Sequence, residues 1–194
     1  MEALALGMAL GLGAGLSPGP LLALVLREAV QKGARAGMLA ALAPLVTDSW
    51  AVLLAWWVGV ALPPGVLAAV QILGGFYLLR LGWTGLRAPA GGNPGSAPAA
   101  SLRAAVVMNL TNPHMYLFWF LAGAPLLHRL GVGAGWFLLG FYLTIVGSKV
   151  VLAWLAARAH QSPLQGALAR LGDLAMLGLG AYLIAAAGLS RGST

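Results

Sequence analysis

The chain has 194 residues, about 60% of them hydrophobic and 8% charged, with eleven Lys and Arg against four Asp and Glu for a net charge of +7. Soluble domains carry roughly 25% charged residues, so the composition excludes an ordinary soluble fold and reads as an all-α polytopic membrane protein. It contains no cysteine, which removes disulfides, thiolate metal sites and thiol electron relay together.

Six apolar stretches, at 3–26, 37–62, 66–86, 104–126, 131–157 and 167–189, are each long enough to cross about 30 Å of hydrocarbon. Met1-Glu2 supplies no basic n-region and the first run is long, so that stretch reads as a span rather than a removable signal peptide. Within it, Ser17-Pro18-Gly19-Pro20 places a capping residue and prolines near the middle of a helix, and Asn112-Pro113 does the same in the fourth stretch. Ser and Asn are favoured N-caps and proline a favoured first helical residue. Each site therefore reads as a helix that stops and starts again, capped by Ser17 and Asn112. In a bilayer such a restart is tolerated only where its freed backbone groups are buried in protein or face a water-filled cavity. Small residues at Ala3, Gly7, Gly11, Gly15 and Gly19 recur every fourth position and suit close helix packing.

In the second stretch Asp48 is the only acid, and in the fifth Lys149 the only base, expected far inside a span. Counting about 1.5 Å per residue from Arg27 and Arg103 puts Ser17 and Asn112 roughly 13 to 15 Å deep, at the same level. A charge at the bilayer centre costs roughly 2.5 to 3.5 kcal/mol. Two readings follow: Asp48 and Lys149 neutralise each other, or Asp48 is a protonatable coupling group with Lys149 as its partner or as a contact for an anionic substrate group. Thr47, Asn109, Thr111 and Ser148 either hydrogen-bond a substrate carboxylate or satisfy broken helix backbone. The free N-H groups of each restart add partial positive charge suited to such a carboxylate.

The stretch 88–102 is rich in Pro, Gly, Ser and Ala and reads as a flexible cytoplasmic linker between two three-helix repeats, 1–87 and 103–194. Three spans per half is an odd number, so the second repeat is inverted relative to the first. Gly75-Phe76-Tyr77-Leu78-Leu79 echoes Gly180-Ala181-Tyr182-Leu183-Ile184 across the halves. The basic residues Arg27, Lys32, Arg35, Arg80, Arg87, Arg103, Arg158 and Arg170 fall on one side and Arg129 and Arg191 on the other. By the positive-inside rule both termini face outward, and the charge is topological rather than a nucleic-acid patch. His114, His128 and His160 lack a metal-ligand spacing, and neither a cofactor loop nor a catalytic constellation is visible.

Gly15-Leu16-Ser17-Pro18-Gly19-Pro20, the acid in the second helix, Gly82-Trp83-Thr84-Gly85-Leu86-Arg87 and Asn109-Leu110-Thr111-Asn112-Pro113 together resemble the LysE/RhtB family of amino-acid exporters over nearly the whole chain. The resemblance implies a six-helix inner-membrane exporter of amino acids or related metabolites, driven by proton exchange and dimeric, with no cofactor and no enzymatic activity. The restarts and the deep charges place substrate binding at Ser17, Pro18, Gly19, Pro20, Asn109, Asn112 and Pro113, with ion coupling at Asp48 and Lys149. The glycine-rich faces suit a homodimer and equally suit packing within one subunit. Two departures stand out: His114 follows Asn-Pro where the family usually has lysine, and Pro44 lies where a small residue is common. A cation exporter of the same superfamily is the alternative, weakened because one deep carboxylate is a poor cage for a divalent ion.

Overall fold

The computed structural model describes residues 1–58, 64–87, 98–159 and 165–191. Among these residues the chain is helical, without strands. In chain order the helices are α1 (Glu2–Leu16), α2 (Pro20–Lys32), α3 (Ala34–Ala41), α4 (Ala43–Val58), α5 (Pro64–Arg87), α6 (Pro98–Leu110), α7 (Pro113–Phe118), α8 (Ala124–Leu130), α9 (Ala134–Ala156) and α10 (Gln165–Arg191). A π-helical turn, Trp119–Gly123, joins α7 to α8. It lies just ahead of Pro125, whose missing N-H and bulky ring break the ordinary i→i−4 ladder.

Among the described residues two helical segments, Ala34–Leu54 and Pro125–Ala156, are long and apolar enough to cross a membrane, and α1 with α2 makes a third when that bent pair is counted as one span. Large apolar side chains, among them Trp50, Leu53, Trp57, Leu143 and Leu174, cover the outer faces. Such a surface needs a hydrocarbon solvent. The expected linker 88–102 is shorter than its composition suggests, because α6 begins at Pro98. Its residues 88–97, including Asn93, lie outside the described residues, as do 62 and 63 of the expected outer loop, and His160.

The first interruption bends α1 from α2 by 65°. Its cap differs from the sequence expectation. Ser17 closes α1, donating its backbone N-H to the Gly13 carbonyl. The N-cap of α2 is Gly19, with Pro20 as the first helical residue, and no side chain caps it. Two prolines compete for the N1 position, and Pro20 takes it because proline disfavours helical backbone in the residue before it, so Gly19 stays extended. Asn112 does cap α7: its side-chain oxygen accepts from the His114 N-H at 3.1 Å, and Pro113 is N1. The first span also runs past 26, since α2 continues to Lys32 and stops at Gly33 with φ of 89°, a conformation glycine adopts without steric cost.

Three packed pairs organise the bundle. α1 lies along α9, α3 and α4 lie against α6, and α5 lies along α10. In the first pair Gly7, Gly11 and Gly15 are buried, and a Cβ on any of them would overlap Phe137, Phe141 or Ser148 of α9; Gly140 answers from α9 against Leu4. Without a hydrophobic effect between helices in lipid, this backbone proximity is what dispersion and weak polar contacts require. The Thr144 hydroxyl uses it, donating to the Met8 carbonyl at 3.0 Å. Gly19, the last of the stripe, has open space around it.

Two apolar clusters result. One gathers Leu21, Leu24, Val25, Ala105, Met108, Ala153 and Met176. The other is aromatic, built on Trp119, Phe120, Phe137 and Phe141 with Met115 and Ile145.

Candidate functional site

A cavity of about 260 Å³ borders on both clusters, and both helix interruptions open into it. Its wall includes Ser17, Pro18, Gly19 and Pro20 from the first break, Asn109, Asn112 and His114 around the second, and Asp48 and Lys149 from α4 and α9. Of the expected binding and coupling residues Pro113 stays off the wall and is buried, and Thr47, Thr111 and Ser148 of the expected hydrogen-bonding groups lie off it too. The fold brings the others together from α2, α4, α6 and α9 and from the two breaks.

Asp48 and Lys149 are both buried, at 4% and 3% exposure, yet no ion pair joins them. Each is satisfied by the helix that precedes a break. Lys149 donates from Nζ to the carbonyls of Ala14 at 3.3 Å and Gly15 at 3.2 Å, in the last turn of α1. Those carbonyls have no partner within the helix and carry the negative end of its dipole, so an ammonium suits them. A carboxylate would be repelled by the same groups. On the other side Asp48 meets a side-chain donor in the last turn of α6: Asn109 Nδ2 donates to Asp48 Oδ1 at 2.8 Å. Asn109 also lies 2.6 Å from Thr47 Oγ1, and Thr47 donates to the Ala43 carbonyl at 2.9 Å. Mutual neutralisation by contact is thereby replaced by two separate tethers facing one cavity.

The remaining hydroxyls separate by role. Thr111 and Ser148 donate to carbonyls of their own helices, Val107 and Ile145, and so repair backbone. The Tyr116 hydroxyl does the same across the break, donating to the Leu110 carbonyl at 2.9 Å. His114 serves through its backbone N-H, and its side chain is exposed at the rim of the cavity.

The rest of the wall was not visible as a site in the sequence. Leu21, Leu22, Met115, Phe118, Phe141 and Ile145 make it apolar, and Trp119 closes it beside Asp48. Met115, Phe118 and Trp119 do carry a signal: at i, i+3 and i+4 they share the helix face that follows the Asn112 cap.

Asp48 is not alone as an acid buried within the protein. Glu28 and Asp173 are 2% and 1% exposed. Arg27 lies between them, with Nε donating to Asp173 and an Nη1 to Glu28 distance of 3.1 Å. Glu28 further accepts from Ser101 and pairs with Lys32 at 2.8 Å. This network ties α2 to α6 and α10 beyond the apolar layer of Leu24 and Val25, away from the cavity. It was missed because α2 was expected to end at 26.

At the same end Arg87 stacks on Trp83 and Arg158 on Trp154, with the guanidinium 4.3 and 4.2 Å from the ring centres. His128 stacks on Trp56 at 4.1 Å. Among the described residues no group of three or more His, Cys, Asp or Glu side chains is placed to hold a metal ion.

An apolar helical bundle whose broken helices present their ends to a shared cavity has the layout of a membrane transporter. The family model for the LysE type translocator matches residues 13–188, and the chain belongs to that family. It is also similar to the leucine efflux protein of Enterobacter sp. (strain 638), 34% identical over 114 residues that make up 54% of each chain. The match thus spans about half the length of that relative. No solved structure matches the chain.

Proposed function

We propose that this translocator exports amino acids with apolar side chains by proton-coupled alternating access. The observation that carries the proposal is the cavity that joins both helix breaks to Asp48 and Lys149. A cavity of about 150 Å³ admits a benzene ring, so about 260 Å³ has room for a branched aliphatic amino acid. The wall combines polar groups with Leu21, Met115, Phe118 and Ile145, a mixture that suits a charged head group and an apolar side chain. The similarity to a protein named for leucine efflux supports leucine as the first cargo to test.

The same proposal takes the chain as six spans in two inverted three-helix repeats, in the inner membrane with both termini outside. The packing supports it. Exchanging the halves turns the α1–α9 pair into the pair of α6 with α3 and α4, and leaves α5–α10 as its own counterpart. Lys149 on the last turn of α1 and Asp48 on the last turn of α6 correspond under the same exchange. Asp48 is the proton-carrying group in this reading, and rocking of one repeat against the other exposes the cavity to each side in turn.

Metal-ion export is the weaker reading, because Asp48 is the sole carboxylate among the wall residues and divalent ions take several oxygens. Proteoliposomes loaded with labelled leucine and given an opposing proton gradient test the proposal directly. Gradient-dependent leucine release is the expected result. Release of a divalent cation with no leucine movement would overturn it.

A further inference from the structure

The buried network of Arg27, Glu28, Ser101 and Asp173 stands at the same distance from the cavity along two different helices. Pro20 on α2 and Asn109 on α6 line the cavity; Glu28 lies eight residues further along α2, and Ser101 eight residues back along α6. Each step is about 12 Å at 1.5 Å per residue. On α2 it runs toward Lys32 and Arg35, the inner end of the proposed topology. Leu24, Val25, Ala105 and Met108 fill the interval and are fully buried. Glu28, Ser101 and Asp173 beyond them are at most 2% exposed. This end of the cavity is therefore shut, first by an apolar layer and then by an ionic one.

The ties between helices both cross from one proposed repeat to the other. Arg27 of α2 donates to Asp173 of α10, and Ser101 of α6 donates to Glu28 of α2. Arg27 and Lys32 hold Glu28 from its own helix. Gly82 and Gly85 of α5 also lie here, where a Cβ would press on the Asp173 carbonyl and carboxylate, so the glycines of Gly82-Trp83-Thr84-Gly85 make room for the pair. Two acids and two bases leave the group neutral. The attraction within a buried ion pair is largely offset by the water its members gave up, so parting it into water is easier than exposing an apolar contact of the same size. Such a layer suits a contact that opens and closes again.

Resting on the alternating-access reading above, we infer that the Arg27–Asp173 and Ser101–Glu28 ties form the inner gate of the carrier. Intact, they hold α2 against α6 and α10 and seal the cavity from the inner side. They part when the repeats rock to admit substrate from within.

A removable lock tests this. Arg27 Cβ lies 3.6 Å from where a Gly172 Cβ would stand, within the range a disulfide spans, and the chain has no other cysteine. Arg27→Cys with Gly172→Cys thus replaces the ion pair by a covalent tie across α2 and α10. Leucine exchange in proteoliposomes should stop on oxidation and return on reduction. Exchange as fast in the oxidised pair as in the reduced one would make the network a fixed staple and overturn the gate.

A second measurement needs no substrate and keeps every charge paired. Ala105→Cys, midway between Ser101 and Asn109, is labelled with an impermeant maleimide at the inner face of inside-out vesicles, with and without Ser101→Ala. Loss of the hydroxyl should speed labelling about tenfold, the scale of a hydrogen bond to a charged group. Ala51→Cys, equally buried but in the aromatic cluster, should keep its rate. An unchanged rate at 105, or an equal rise at 51, would overturn the gate. Faster labelling at 105 in a chain that moves no leucine would overturn the cargo proposed above and leave the gate standing; leucine exchange with an unchanged rate at 105 would overturn the gate alone.

Discussion

Gly75 and Gly180 face each other across the α5–α10 contact so closely that a Cβ on either would stand 2.7 Å from the other's carbonyl oxygen. The relation extends one turn further: a Cβ on Gly75 meets Ile184, and one on Gly180 meets Leu79, four residues beyond each glycine. Such i-to-j and j-to-i contact is the mark of a two-fold relation between surfaces. It falls on the two segments whose sequences echo each other, which supports the proposed inverted repeat.

Gly75→Ala and Gly180→Ala are each expected to destabilise the protein by about 1 to 3 kcal/mol through overpacking, and by similar amounts, because each methyl meets the same kind of carbonyl. Since both substitutions force one gap apart, the double variant should cost less than the sum. Thermal unfolding in detergent measures both. Widely different single effects, or full additivity, would show that the two glycines do not share one contact.

Asp48→Asn preserves shape and should fold, but in the proposed mechanism it cannot carry a proton, so gradient-driven transport should vanish while leucine–leucine exchange survives. Adding Lys149→Met should not restore driven transport, because Asp48 and Lys149 are tethered to different helices rather than to each other. The measurement is driven uptake and exchange in proteoliposomes for both single variants and the pair. Full driven transport by the pair would return these residues to simple charge balance.

The unequal caps give a stability test. Asn112→Ala removes a side-chain cap and should cost about 1 kcal/mol. Ser17 makes no such bond to α2, so Ser17→Ala should leave the melting temperature nearly unchanged. Both residues line the cavity, and both substitutions should raise the apparent leucine constant. A larger stability loss for Ser17→Ala than for Asn112→Ala would contradict the observed restart at Gly19.

The buried network predicts a strong asymmetry between breaking and removing a pair. Asp173→Ala leaves Arg27 beside α10 without that acceptor, and loss of one partner of a buried pair typically costs about 3 to 5 kcal/mol. Gly85→Ala should also destabilise, since its methyl would press on the Asp173 carboxyl. Melting curves of the two variants, alongside Gly65→Ala, where a Cβ meets open space, check the comparison.

Orientation is testable without background labelling, because the chain has no cysteine. Gly65→Cys should react with a membrane-impermeant maleimide added to intact cells, and Asn93→Cys only after the inner face is opened. Labelling of position 93 from outside would reverse the proposed orientation.

What the sequence determined by itself are properties carried within a few covalently linked residues or by composition. The lack of charge dictated a lipid solvent, proline after a capping residue dictated that the first and fourth stretches break, and Asn112-Pro113 specified its own cap because donor and acceptor lie two residues apart. At Ser17-Pro18-Gly19-Pro20 the local signal was degenerate, and only the folded backbone chose Gly19 over Ser17 as the cap. Asp48 and Lys149 could be recognised as costly charges, but their partners could not. The Lys149 ammonium meets carbonyls 134 and 135 residues away, and Arg27 meets Asp173 across 146 residues, so packing rather than pattern brings them together. Trp119 was likewise one apolar residue among many until the tertiary structure buried it in the cavity wall beside Asp48.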